Sequence, residues 1–355
     1  MRRRQLNIIL LALIVTVALP LKAADAQVTF TPPEEPAFSI VDFDWVDVSR
    51  TRQVPARLYW PANVSSGRVP LIVFSHGLGG SRSGYTYLAR RWAAQGVASL
   101  HVQHIGSDTS LWRGNPFTAV DRVQAAAQDS EAAARVGDLR FALDRVLSKE
   151  TGPYAVLVDR RRIIAAGHSY GANTALLAVG ARVIRDGRWL GFRDPRYRAA
   201  IVISAPAFYR ETDLAGVLAK ITVPTLHVTA TEDIIAIPGF RSPPSDRSAI
   251  FSATPGKRNL LAVFEGASHS VFSDRPFTGG GPRLNRMVKR ATADLTLAFL
   301  DHTFGGDPTG LTRWSLAWSD ILAQPPVPTA QPVAATPRRK EFRRTTSEGP
   351  SAAAN

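Results

Sequence analysis

A serine set between two glycines, Gly167-His168-Ser169-Tyr170-Gly171, joins a short apolar run to a longer one. Upstream, Arg162-Ile163-Ile164-Ala165-Ala166 reads as a buried strand, and downstream the apolar stretch Ala172 to Gly180 reads as a buried helix. A chain passing from strand to helix within so few residues must reverse sharply. Side chains would collide at the tightest points, so glycine is needed on both sides. The strained turn then presents the Ser169 hydroxyl at the helix N-terminus. The pentapeptide alone is common by chance, but in this setting it is specific and implies a serine nucleophile.

The rest of the chain repeats the strand–helix alternation. Edge strands are expected over Phe38 to Val48 and Val54 to Trp60. Buried strands are expected over Pro70 to Ser75, Val97 to Val102, Ala199 to Ser204, Thr222 to Thr229 and Leu260 to Phe264. Helical spacing covers Tyr85 to Gln95, a single long helix from about Val120 to Ser148, and Leu284 to Phe304. Such alternation predicts one α/β domain with a mostly parallel central sheet and helices on both faces, spanning residues 27–323.

A serine hydroxyl needs a histidine to take its proton and a carboxylate to orient that histidine. In open α/β sheets such groups sit at the C-terminal ends of strands, in the order Ser, acid, His. Three histidines follow Ser169: His227, His269 and His302. His227 lies inside an apolar strand and reads as a core residue, and His302 lies in the closing helix. His269, in the polar loop Glu265-Gly266-Ala267-Ser268-His269-Ser270, is the candidate base. Asp233, just past a strand in Ala230-Thr231-Glu232-Asp233, is the candidate acid, ahead of Glu232 and then Glu265. Acyl transfer also needs two N–H groups for the oxyanion. The Tyr170 amide, next to the nucleophile, is one candidate. The Leu78 amide, in the glycine-rich loop His76-Gly77-Leu78-Gly79-Gly80, is the other. His76 and His168 are then structural.

Together, Ser75-His76-Gly77-Leu78-Gly79-Gly80-Ser81-Arg82 and Gly167-His168-Ser169-Tyr170-Gly171 resemble the dienelactone-hydrolase and platelet-activating-factor acetylhydrolase group of the α/β-hydrolase superfamily, over roughly Pro70 to His302. The resemblance implies the α/β-hydrolase fold and hydrolysis of carboxylic esters without a cofactor. It departs in one respect. The acetylhydrolases carry their acid after the strand that follows the helix opened by the serine turn, the elbow helix; here Ile201-Val202-Ile203-Ser204-Ala205-Pro206 offers no carboxylate. Asp233, one strand later, matches the dienelactone-hydrolase and cutinase arrangement, so phospholipid specificity is not implied.

Composition excludes several other classes. With no cysteine, disulfides, thiolate metal sites and a cysteine nucleophile are ruled out. His101, His104 and Asp108 are metal-ligand types, but their spacing from strand into loop does not converge on one face, so no metal is expected. The formal charge of +14 is spread out. Arg2, Arg3, Arg4 and Lys22 against Asp25 carry a net +3, and so do Arg338, Arg339, Lys340, Arg343 and Arg344 against Glu341 and Glu348. No aromatic-interleaved basic stripe points to nucleic acid, although the basic surface favours weak association with an anionic envelope.

Residues 1–26, charged and then apolar and then small, read as a signal peptide, with an uncleaved anchor as the alternative; either implies bacterial export to the periplasm or beyond. Residues 324–355, rich in Pro, Ala, Thr and Arg, are expected to be a disordered tail. Trp189, Leu190, Phe192 and Tyr197 are candidates for an apolar lid or acyl pocket, with ordinary packing as the alternative. The expected partner is a small-molecule or lipid ester. A serine peptidase of related fold and a catalytically inactive binding protein are the alternative functions.

Overall fold

Apolar runs without polar alternation become the middle of the sheet, because helices cover both of its faces. The computed structural model describes residues 38–328, except 63, 65–67, 238, 276 and 277. The expected leader and most of the expected tail therefore lie outside the described residues. Strands β1 (Phe38–Asp47) and β2 (Arg52–Pro61) pair antiparallel, from Phe38 opposite Pro61 to Asp47 opposite Arg52. β3 (Val69–Ser75), β4 (Ala98–Val102) and β5 (Val158–His168) follow. A partly exposed hairpin, β6 (Arg182–Arg185) and β7 (Arg188–Gly191), precedes β8 (Ala199–Ile203) and β9 (Thr225–Glu232). A second hairpin, β10 (Ile235–Ile237) and β11 (Phe240–Ser242), precedes β12 (Leu260–Ser268) and β13 (Leu322–Pro328).

Nine of these strands form one sheet in the order β1-β2-β4-β3-β5-β8-β9-β12-β13. The six from β4 to β12 run parallel, and antiparallel strands close both edges. After β3 the chain first adds β4 on one side and then β5 on the other. The order therefore reverses beside β3, and a crevice opens between the C-terminal ends of β3 and β5.

Side chains on the central strands alternate between two cores. Leu71, Val73, Ile163, Ala165, Ala200 and Val202 face one side, packed with Leu139, Leu143, Ala175 and Leu176 of helices Asp129–Val146 and Tyr170–Val179. Ile72, Phe74, Ile164, Ala166, Ile201 and Ile203 face the other. There they meet Leu88 and Trp92 of helix Thr86–Ala94, and Val288, Leu295 and Phe299 of helix Gly281–Leu300. The Trp92 indole N–H donates to Thr296 Oγ1 at 2.7 Å, joining these two helices across otherwise apolar surface. Among the described residues, no helix is long and apolar enough to cross a membrane.

Two expectations need correction. The long helix is two, Ala119–Ala126 and Asp129–Val146, because Gln128 takes an extended conformation (φ −72°, ψ 157°) before Asp129 and Glu131 open the second. Acidic residues there favour a fresh N-terminus, a signal that an unbroken apolar period obscures. The tail boundary at residue 324 falls inside β13. That strand pairs antiparallel with β12, with Phe264 opposite Leu322 and Leu260 opposite Pro328. Proline is tolerated at a sheet edge, where only one side of the strand must supply hydrogen bonds. A chain ending at residue 321 should therefore melt several degrees below one ending at residue 328, since it leaves the β12 edge unpaired; differential scanning calorimetry of the two truncations tests this.

Candidate active site

The turn from β5 into helix Tyr170–Val179 is as tight as its glycines require. A Cβ on Gly171 would lie 1.9 Å from the Ser75 carbonyl oxygen at the end of β3, and one on Gly167 would lie 2.1 Å from Gly171 O. Only hydrogen fits at either position. Between them Ser169 adopts φ 56°, ψ −124°, a region disfavoured for any L-residue. Its N–H is held by Ile203 O at 2.9 Å, so the neighbouring strand supports the strained residue.

Ser169, His269 and Asp233 meet at the ends of β5, β12 and β9. His269 Nε2 lies 3.0 Å from Ser169 Oγ, and His269 Nδ1 lies 2.8 Å from Asp233 Oδ1. With a carboxylate at Nδ1, that nitrogen carries the proton, which leaves Nε2 to accept from the serine hydroxyl. Asp233 is fully buried, and it also accepts from Ser204 Oγ and Thr229 Oγ1, each at 2.7 Å. Arg247 approaches the same carboxylate at 3.5 Å. Burial pushes the Asp233 carboxyl up, but hydrogen bonding to His269 and the charges of His269 and Arg247 outweigh it, so it sits well below the usual carboxylate range. Glu232 and Glu265 are both exposed, and Glu265 only accepts from Thr231 Oγ1.

Ser204 was not singled out by its sequence. It directly follows β8 with φ 53°, and its Oγ lies 2.7 Å from His269 Nδ1 as well as 2.7 Å from Asp233. A hydroxyl thus stands at the strand end where the acetylhydrolases would supply the acid. His168, the residue before Ser169, stacks on the His269 ring with centroids 4.7 Å apart. Gly77 N–H donates to Tyr85 OH (3.0 Å), which lies 3.0 Å from His168 Nδ1, while His168 Nε2 reaches His269 O at 3.3 Å. Burial holds the His168 imidazole neutral. One chain of hydrogen bonds therefore links the glycine-rich loop to the backbone of His269.

That loop is held almost residue by residue. Gly79 N–H donates to Ser107 O at 2.9 Å and Gly80 N–H to Gly77 O at 3.0 Å. His76 Nε2 accepts from the His104 amide (3.1 Å), so Nδ1 carries the proton and donates to Gly77 O at 2.7 Å. From Gly77 to Gly80, only the Leu78 amide has no acceptor among the described residues. Its own peptide oxygen, Gly77 O, accepts twice, which fixes the peptide plane and strengthens Leu78 N–H as a donor. Among the described residues the Tyr170 amide has no acceptor either, for a different reason: the first N–H groups of a helix have no partner within it.

A cavity of about 950 Å³ lies over Ser169 and His269, walled by Leu78, Trp112, Leu190, Phe192, Phe208 and Ile235. Leu190 and Phe192 are thus cavity residues, whereas Trp189 lies under the Arg182 guanidinium and Tyr197 is buried in the core. His101, His104 and Asp108 are kept apart by separate partners. His101 stacks on Phe74, His104 lies 3.0 Å from Asp138, and Asp108 accepts from Gln103 and Ser110. Among the described residues, no His, Cys, Asp and Glu cluster could hold a metal ion. His227 lies 2.9 Å from Thr225 Oγ1 inside its strand.

Gly171→Ala should prevent folding or cost at least about 3 kcal/mol, because the colliding atom is backbone and cannot swing aside. Chemical denaturation would measure it. Ser204→Ala should cost about 1.5–3 kcal/mol, the range for a hydrogen bond to a charged group, with unfolding in urea as the readout.

Comparison with known proteins agrees with this architecture. The family model for platelet-activating factor acetylhydrolase, isoform II, matches residues 50–120, which include β3 and the glycine-rich loop. No curated protein matches the chain. The solved structure of a ferulic acid esterase from Streptomyces cinnamoneus superposes with a TM-score of 0.56 at 22% identity, covering 79% of this chain and 93% of that one. The chain adopts the α/β-hydrolase fold, and its segment 50–120 is similar to the acetylhydrolase isoform II family.

Proposed function

We propose that this chain is an exported serine hydrolase of carboxylic esters. The observation that carries this reading is the line Asp233–His269–Ser169, two hydrogen-bond distances of 2.8 and 3.0 Å, flanked by two unpartnered amides. In it, Ser169 Oγ attacks the ester carbonyl as His269 Nε2 takes its proton, and Asp233 holds the imidazolium that results. The carbonyl oxygen becomes an oxyanion between the Leu78 and Tyr170 amides. His269 then gives its proton to the leaving alcohol, and water releases the acyl group by the same steps in reverse order of partners.

The acetylhydrolase-like segment and the ferulic acid esterase neighbour support ester chemistry. The cavity, about 950 Å³ with mostly apolar walls, suits a bulky small-molecule or lipid ester. Export rests on the composition of residues 1–26, and contact with an anionic envelope on the net positive charge.

A fluorophosphonate probe should label the wild-type chain at Ser169, and Ser169→Ala should abolish both labelling and hydrolysis of p-nitrophenyl butyrate without loss of fold. An active Ser169→Ala protein would overturn the reading. Asp233→Asn should lower turnover by roughly 10⁴-fold, the loss known when a triad histidine takes the wrong tautomer. Glu232→Gln should change turnover far less, because that side chain points to solvent.

A further inference from the structure

Behind the glycine-rich loop lies a cation with no evident reason to be buried. Arg135, in helix Asp129–Val146, is fully buried, and among the described residues no carboxylate lies within ion-pair distance. Burying an unpaired charge costs several kcal/mol, so a packing role would be better served by leucine or methionine. Its guanidinium spends its donors on four acceptors. NH2 donates to Ser75 Oγ (3.0 Å) and to His76 O, NH1 to Ser107 Oγ (2.8 Å), and Nε to Thr174 Oγ1 (3.1 Å). These belong to the end of β3, the glycine-rich loop, the segment after β4 and the elbow helix. The guanidinium also lies 4.5 Å from the centroid of the Tyr170 ring.

Two of these acceptors also bind the segments that carry the unpartnered amides. Ser107, besides accepting from Arg135, supplies the carbonyl that takes the Gly79 amide. Thr174 Oγ1 donates back to Tyr170 O at 3.0 Å. The counter-charges stand one and two bridges away, since Ser107 Oγ donates to Glu131 (2.8 Å), and Ser75 Oγ lies 2.9 Å from His104, which lies 3.0 Å from Asp138. Arg52 joins Glu131 to Asp138 and closes the ring. Burial lowers the Arg135 pKa only to about 10, so the side chain is cationic at neutral pH.

We propose that Arg135 is a positioning residue for the oxyanion: it locks the Leu78 and Tyr170 amides at the spacing a tetrahedral anion needs, and its buried charge adds to the field that holds that anion. No neutral side chain offers a planar fork with five donors. A fixed charge behind the donors acts without reorganisation as the oxyanion forms.

The inference rests on the ester-hydrolase reading. The test compares wild type, Arg135→Met and Arg135→Lys on p-nitrophenyl butyrate, and measures inhibition by butylboronic acid, which adds to a serine as a tetrahedral anion. Arg135→Met should lower kcat by about 10²-fold, near the loss for one oxyanion donor, while KM stays within about threefold. The boronate inhibition constant should weaken in parallel with kcat/KM. Arg135→Lys, which keeps the charge but not the fork, should fall between the two. If Arg135→Met does not fold, Arg135→Lys decides by the same two readouts. A loss of kcat with unchanged boronate affinity, a loss confined to KM, or no loss at all would overturn the role of Arg135. A wild-type protein that neither turns over the ester nor binds the boronate would instead overturn the ester-hydrolase reading.

Discussion

The site depends on one close approach, the packing of Gly171 against the Ser75 carbonyl with no room for a methyl group between them. That approach brings the start of the elbow helix onto the end of β3, so Ser169 and the glycine-rich loop face each other across the crevice where the strand order reverses. A residue with a side chain would push the helix outward and separate the Tyr170 amide from the Leu78 amide. The disfavoured backbone of Ser169 is the cost of this geometry, offset by the buried helix behind it and by the hydrogen bond to Ile203.

Burial and hydrogen bonding together separate the two candidate carboxylates. Asp233 and Glu232 are neighbours in the chain, yet Asp233 is fully buried among hydrogen-bond donors while Glu232 faces solvent. A buried carboxylate with such partners stays ionised and keeps one orientation, which an exposed glutamate cannot do. The same logic runs beneath the loop, where Arg52, Glu131, Asp138, His104, Ser75, Ser107 and Arg135 form a closed set of hydrogen bonds. Asp138 shows the balance, because burial raises its carboxyl while Arg52 and Arg50 draw it down.

Much of this was legible in the chain because strand ends are legible. Apolar runs locate the strands, and the polar residues just past them must lie at one edge of a parallel sheet. Ser169, Asp233 and His269 each lie just past such a run, so the chain alone places them together. The supporting residues were not. Ser204 in Ile203-Ser204-Ala205 looks like any strand terminus, and its partners lie 29 and 65 residues away. Arg135 sits on a helix whose apolar period hides a buried cation, since a single arginine on such a face ordinarily extends to solvent. The break at Gln128 carried neither glycine nor proline to announce it. The prolines after Gln324 signalled the end of regular structure, whereas an edge strand accommodates them.

That last strand has a consequence for the protein among its own copies. An open β-edge displays a row of backbone donors and acceptors on which a second chain can pair, the first step of sheet-to-sheet association. β13 covers the β12 edge and takes its place at the border of the sheet. Three of its seven residues, Pro325, Pro326 and Pro328, have no N–H to offer. The sheet therefore ends on a strand that can receive its neighbour but is a poor template for another, which guards a large, strongly apolar sheet against growing from one molecule into the next.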